Sequence, residues 1–198
     1  ERDLVLLIAG LGAGTGTGAA PVLARAAHER NALVLALAIL PFDFEGAGIR
    51  RRAEEGLVEL CDAADAVIVV PNQRLFGLVG AATPVDQAFI RVDEILAQSV
   101  TGLWRAVVHR GLMNLTFADL RAVSQQGQGM MVFGYGQADG ADRAQQAVQA
   151  ALRSPLLENG ELLAHAGTVL VNIVGVSEAT FGEIEQIMTA VTAALPNE

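Results

Sequence analysis

Three uninterrupted aliphatic runs constrain this chain more than any other feature: LVLLIA (Leu4 to Ala9), LVLALAIL (Leu33 to Leu40) and AVIVV (Ala66 to Val70). Each has the length of a strand, and none alternates apolar with polar residues as a strand with one wet face would. Such runs are expected of parallel strands buried on both faces. Parallel strands need crossovers, and the segments between the runs supply them. Gly18 to Arg30 and Ile49 to Cys61 repeat their apolar residues at helical spacing. The first third therefore reads as β-loop-α-β-α-β, the start of an α/β fold with a parallel Rossmann-like sheet.

A shorter helical piece is expected around Arg74 to Val79. Pro84 then opens a long pattern in which Phe89, Val92, Leu96, Leu103 and Val107 recur at helical spacing as far as Val108. Beyond this central helix the spacing predicts a helix over Phe117 to Gln125, a strand over Met130 to Tyr135 and a helix over Ala141 to Leu152. A strand over Thr168 to Val174 and a helix over Thr180 to Ala194 follow. Together these make a second, smaller α/β unit packed on the long helix. The chain opens inside a strand and its second unit has only two clear strands, so both ends read as cut.

Composition removes several classes of function. Apolar residues make up 52% of the 198, ample for a core, but the runs break well short of the ~20 residues that span a bilayer. No basic flank precedes a signal-like stretch, and the expected location is cytoplasmic, with no direct membrane insertion. A net charge of −9 argues against nucleic acid as a partner. Cys61 is the only cysteine, and His28, His109 and His165 are scattered singly, so neither a disulfide framework nor zinc-ligand spacing exists. All 13 basic residues are arginine. Without lysine there is no Walker P-loop and no Schiff base.

Phosphate chemistry must then rest on the backbone, and GLGAGTGTGAAP (Gly10 to Pro21) is suited to it. The stretch places glycines at alternate positions between a strand and a helix, where free N–H groups and the helix dipole attract anions. Gly12, Gly14, Gly16 and Gly18 let the backbone approach a polyphosphate, and the Thr15 and Thr17 hydroxyls can add donors. The Rossmann spacing G-x-G-x-x-G does not fit, which disfavours a dinucleotide oxidoreductase. A glycine-rich tight turn is the bland alternative.

This stretch resembles the signature loop of the FtsZ family, the bacterial tubulin-like division GTPases. The resemblance continues through PFDFEG (Pro41 to Gly46), VPNQRL (Val70 to Leu75), GLMNLTFADL (Gly111 to Leu120), SPLLE (Ser154 to Glu158) and GTVLVNIVG (Gly167 to Gly175), in order along the chain. It implies a tubulin/FtsZ-like fold in three parts. Residues 1–82 would belong to a GTP-binding domain, 83–108 to the linking helix and 109–198 to a GTPase-activating domain. Similar proteins begin about a hundred residues earlier and continue past the last helix, which makes this chain the middle of such a protein. Other division proteins would be met through segments lying outside this chain.

The resemblance also assigns roles. Gly12 to Gly18 would hold the phosphates of GTP or GDP, with Mg2+ on those phosphates, and Glu45 would contact the ribose. Asn72 would lie near ribose and base. Phe89 and Asp93, one helical turn apart, would stack on guanine and accept its N–H donors. The arginine that follows the glutamate in similar proteins is replaced here by Ile49, with Arg50, Arg51 and Arg52 just beyond. Arg50 is a candidate substitute.

By the same resemblance NLTFADL would carry the hydrolytic residues, Asn114 and Asp119, with Thr116 where the family has an aspartate. Nineteen helical steps from Phe89 to Val108 span about 28 Å at ~1.5 Å per residue, too far for Asn114 to reach a nucleotide near Phe89 in the same molecule. A neighbour must complete the site, and head-to-tail contact without ring closure makes a filament. The resemblance therefore implies a GTPase that polymerises at the division site. Threonine orients water but carries no negative charge, so Thr116 also favours an alternative, a weakly catalytic or non-catalytic structural or regulatory relative.

Overall fold

The computed structural model describes residues 4–76, 83–108, 118–119, 122, 130–175 and 179–195. The chain divides into two compact units, Glu1–Gly77 with Phe117–Val132, and Leu78–Thr116 with Phe133–Glu198.

The first unit is built on a parallel sheet. Strands β1 (Leu4–Gly10), β2 (Leu33–Leu40), β3 (Ala66–Pro71) and β4 (Met130–Met131) lie side by side in that order. All neighbours run parallel, in registers such as Ile8 opposite Leu37 and Leu37 opposite Ile68. The three aliphatic runs form the expected strands to within one residue. Both alternating sets of β2 side chains, Leu33, Leu35 and Leu37 and then Val34, Ala36 and Ala38, are buried. That explains a strand without polar alternation.

Helices α1 (Gly14–His28) and α2 (Ala47–Ala63) pack on the Val34, Ala36 and Ala38 side through Ala20, Ala24, Ala53, Leu60 and Ala63. The alanines among these residues bring the helices close to the sheet. The short helix α3 (Asn72–Phe76) follows β3 directly. It starts ahead of the expected Arg74, and residues 77–79 of that expectation lie outside the described residues.

The second unit contains α4 (Val85–Val108), α5 (Arg143–Leu152), a 3-10 segment over Pro155–His165 and α6 (Phe181–Ala193). The long helix has the expected extent. Two expected strands differ. Met130–Met131 joins the first sheet as β4, beside β3, instead of starting a separate sheet. After Met131 the chain leaves the ladder and packs against α5 and Leu157 at Gly134 and Gly136. Residues 168–174 form no strand and join no ladder among the described residues; an aliphatic run becomes a strand only when its backbone groups pair with an edge. Only residues 118, 119 and 122 of the expected Phe117 to Gln125 helix are described, and they are helical.

Candidate functional site

The carboxyl end of β1 turns into α1 through only three residues, Leu11 to Ala13. The Leu11 N–H donates to the Ile39 carbonyl at 2.8 Å and extends the ladder one residue beyond Gly10. At Gly12 the backbone takes φ +103°, and a Cβ there would lie 2.7 Å from the Ile49 side chain. Only glycine suits both conditions. The Gly12 N–H donates to Thr17 Oγ1 at 2.8 Å, while its carbonyl accepts from Arg52 Nε at 3.0 Å.

Helix α1 starts at Gly14, four residues ahead of the apolar periodicity. A start at Gly18 would place Pro21 in the first turn, where proline is tolerated. Instead Pro21 lies in the helix interior, and the first turn sits directly on the end of β1. A Cβ on Gly16 would collide with the Gly10 carbonyl. Tertiary contact, not propensity, sets this boundary. Ala13 is the N-cap and supplies no side-chain hydrogen bond, and the first turn contains no acidic residue. The opening amides of α1 therefore have no capping side chain, and the dipole makes the spot attractive to an anion.

Beside this loop lies a cleft of about 330 Å³ lined by Gly10 to Ala13, Ile39 to Pro41, Glu45, Ile49, Arg52 and Asn72. Gly12, Glu45 and Asn72, far apart in sequence, are thus gathered at one place. Glu45 ends the 3-10 turn Asp43–Glu45, and its Oε1 accepts from the Phe42 N–H at 2.8 Å. Asn72 opens α3 at the end of β3. Gly14 and Thr15 are exposed in the first turn of α1, and Gly18 is exposed one turn further. Thr17 is half-buried, its hydroxyl bonded to the loop and its methyl against Gly56.

Phe89 and Asp93 lie one turn apart on α4, in the second unit, both exposed. Asp119 is helical and exposed, whereas Asn114 and Thr116 lie outside the described residues. Arg50 is held elsewhere: its Nη1 is 3.3 Å from Asp43 Oδ1 and its Nε 3.4 Å from Glu54 Oε1. The arginine on the cleft is Arg52, three residues beyond Ile49. Arg52 shares the helical face of Ile49 and Gly56, but the sequence alone does not say that this face meets the loop.

Residues 1–80 match the Tubulin/FtsZ family, GTPase domain, and residues 127–198 match the FtsZ family, C-terminal domain. The chain is 45% identical over 186 residues to the cell division protein FtsZ of Haloferax mediterranei, covering 94% of this chain and 48% of that protein. It thus spans about half the length of the curated relatives it matches. Among solved structures, an empty FtsZ dimer from M. jannaschii is similar at a TM-score of 0.75 and 36% identity, over 98% of this chain and 55% of that one. CetZ2 from Haloferax volcanii, solved as a GTPγS-bound protofilament, is similar at a TM-score of 0.59 and 29% identity, over 76% of this chain and 43% of that one. Two colinear family matches, on a parallel sheet whose first loop leaves its amides uncapped, establish that this chain belongs to the tubulin/FtsZ family.

Proposed function

We propose that this chain is the core of a GTP-binding, GTP-hydrolysing cytoskeletal protein of cell division that polymerises head to tail in the cytoplasm. The observation that carries the reading is the cleft, where an uncapped helix start meets Gly12, Glu45 and Asn72. In this reading the amides from Gly12 to Gly18 bind the phosphates. Glu45, with Oε1 on the Phe42 amide, turns its other oxygen to a ribose hydroxyl beside Asn72. Phe89 stacks on guanine and Asp93 accepts from it, a donor pair that adenine lacks. Among the described residues no group of three or more His, Cys, Asp or Glu side chains forms a metal cage. Mg2+ would therefore be held largely by phosphates and water.

Asn114, Thr116 and Asp119 of a neighbouring subunit complete the site and orient the attacking water. The nucleotide then lies at the subunit contact, so its hydrolysis alters that contact. That the similar CetZ2 is a GTPγS-bound protofilament supports filament formation here. Thr116 favours a second reading, a weakly catalytic structural or regulatory member of the family, because a hydroxyl cannot replace a carboxylate base.

GTP turnover by the full-length protein against protein concentration separates the readings. Specific activity that rises steeply above a threshold is the expected result. Tight GTP binding with flat, near-zero turnover would establish the second reading. Absence of GTP binding would remove both.

A further inference from the structure

Three consecutive arginines open α2, and their side chains go to different places. Arg50 pairs with Asp43 and Glu54, and Arg51 Nε is 3.6 Å from Glu55 Oε1. Those two cations are spent on neighbouring carboxylates. Arg52 has no carboxylate partner among the described residues. Its Nε donates to the Gly12 carbonyl at 3.0 Å, and its side chain lines the cleft.

Ile49, Arg52 and Gly56 recur at i, i+3 and i+7 and so share one face of α2. That face grips the loop. Ile49 fills the space beside the Gly12 Cα, Arg52 holds the Gly12 carbonyl, and Gly56 makes room for the methyl of Thr17, whose hydroxyl holds the Gly12 N–H. The peptide units flanking Gly12 are fixed from both sides. A guanidinium carries five N–H donors in a planar fork, and the loop uses one. Arg52 lines the same cleft as Ala13, the uncapped start of α1, so its positive charge and the helix dipole add there. Among the described residues lining the cleft Glu45 is the only carboxylate, and it is bonded to the Phe42 amide.

We propose that Arg52 is the phosphate-binding cation of this cleft, fixing the Gly12 carbonyl through Nε and holding a phosphate of the nucleotide through its terminal nitrogens. The proposal rests on the reading of the cleft as a GTP site. One side chain then couples loop geometry to phosphate affinity. The arginine is a ligand contact as well as a positioning residue.

Calorimetric titration of GTP into the full-length protein tests this with three variants, Arg51→Ala, Arg52→Gln and Arg52→Lys, each checked for its thermal midpoint without nucleotide. Arg51→Ala is expected to bind within about twofold of the parent, as removal of an exposed ion pair should. Arg52→Gln, which keeps a side-chain N–H donor, is expected to lose about tenfold or more. Its affinity should also depend less steeply on KCl concentration, because one ionic contact is gone. Arg52→Lys restores the charge without the fork and should recover at least about threefold of the loss. If Arg52→Gln unfolds, the Lys variant and its salt dependence carry the test. The proposal is overturned if Arg52→Gln binds GTP like the parent. It also fails if the Lys variant is as weak as Gln and the salt dependence stays at the parent value, for then Arg52 only braces the loop. A parent protein that binds no GTP would instead overturn the reading of the cleft itself.

Discussion

Helix α1 has Ala13 as its N-cap and no side chain on its free amides, whereas α6 has Thr180 as its N-cap with every local device in place. Thr180 Oγ1 accepts from the Glu183 N–H, and the Glu183 carboxylate accepts from the Thr180 N–H at 2.7 Å. Arg143, the first residue of α5, donates to both oxygens of the same carboxylate. Both helices face the same physical problem, since the first amides of any helix lack intrahelical partners. In α6 the chain solves it internally and ties two helices together. In α1 no side chain solves it, and the proposed function assigns those amides to the phosphates of the nucleotide.

The contrast breaks first at Gly16. Gly16→Ala would push a methyl into the Gly10 carbonyl, a backbone group that cannot swing aside. A loss of about 3 kcal/mol in urea unfolding of the first unit is expected, near the upper end for overpacking. A loss below about 1 kcal/mol would mean that the helix start does not depend on that contact.

Ala13→Asp sharpens the comparison by giving α1 the cap it lacks. The exposed N-cap has extended backbone angles that aspartate adopts readily. Unliganded stability should rise by about 0.5–1 kcal/mol. The same carboxylate occupies the open amides and repels phosphate, so GTP affinity should fall about tenfold. Unchanged affinity by titration would show that phosphate binds elsewhere.

The smallest expected effect belongs to α6. Hydrogen bonds from Arg143, and then from the Thr180 backbone, hold the Glu183 carboxyl at about 2, below its ordinary 4.5. A depressed folded-state value means that its contribution is present above about 4.5 and is lost as pH falls toward about 2. Glu183→Gln should therefore flatten the pH dependence of the second unit's thermal midpoint in that window. An identical pH profile in the variant would remove Glu183 from the acid response.

Much of this contrast was readable along the chain. The sequence T-F-G-E at Thr180 to Glu183 is a capping-box pattern, and a glycine run between a strand and a helix is the pattern from which a phosphate loop is expected. The start of α1 was not readable, because glycine is a poor helix former and the apolar pattern begins only later. The 3-10 segment Pro155–His165 gave no distinct signal, since its apolar residues also fit an ordinary helical or loop reading. Thr168 to Val174 read as a strand on composition alone, although strand character depends on a paired edge.

Local patterns by themselves determined three parallel strands, the crossover helices, the glycine loop and, through the absence of lysine, that the loop is no Walker P-loop. Periodicity and residue chemistry act over a few residues, so they can be read without a fold. Tertiary structure decided the rest: that Met130–Met131 closes onto β3, that α1 begins on the Gly10 carbonyl, and that Arg52 rather than Arg50 reaches the loop. Each is a contact between backbone groups or side chains that only packing brings together. Arg52 meets a carbonyl 40 residues away. No pattern local to α2 specifies that partner.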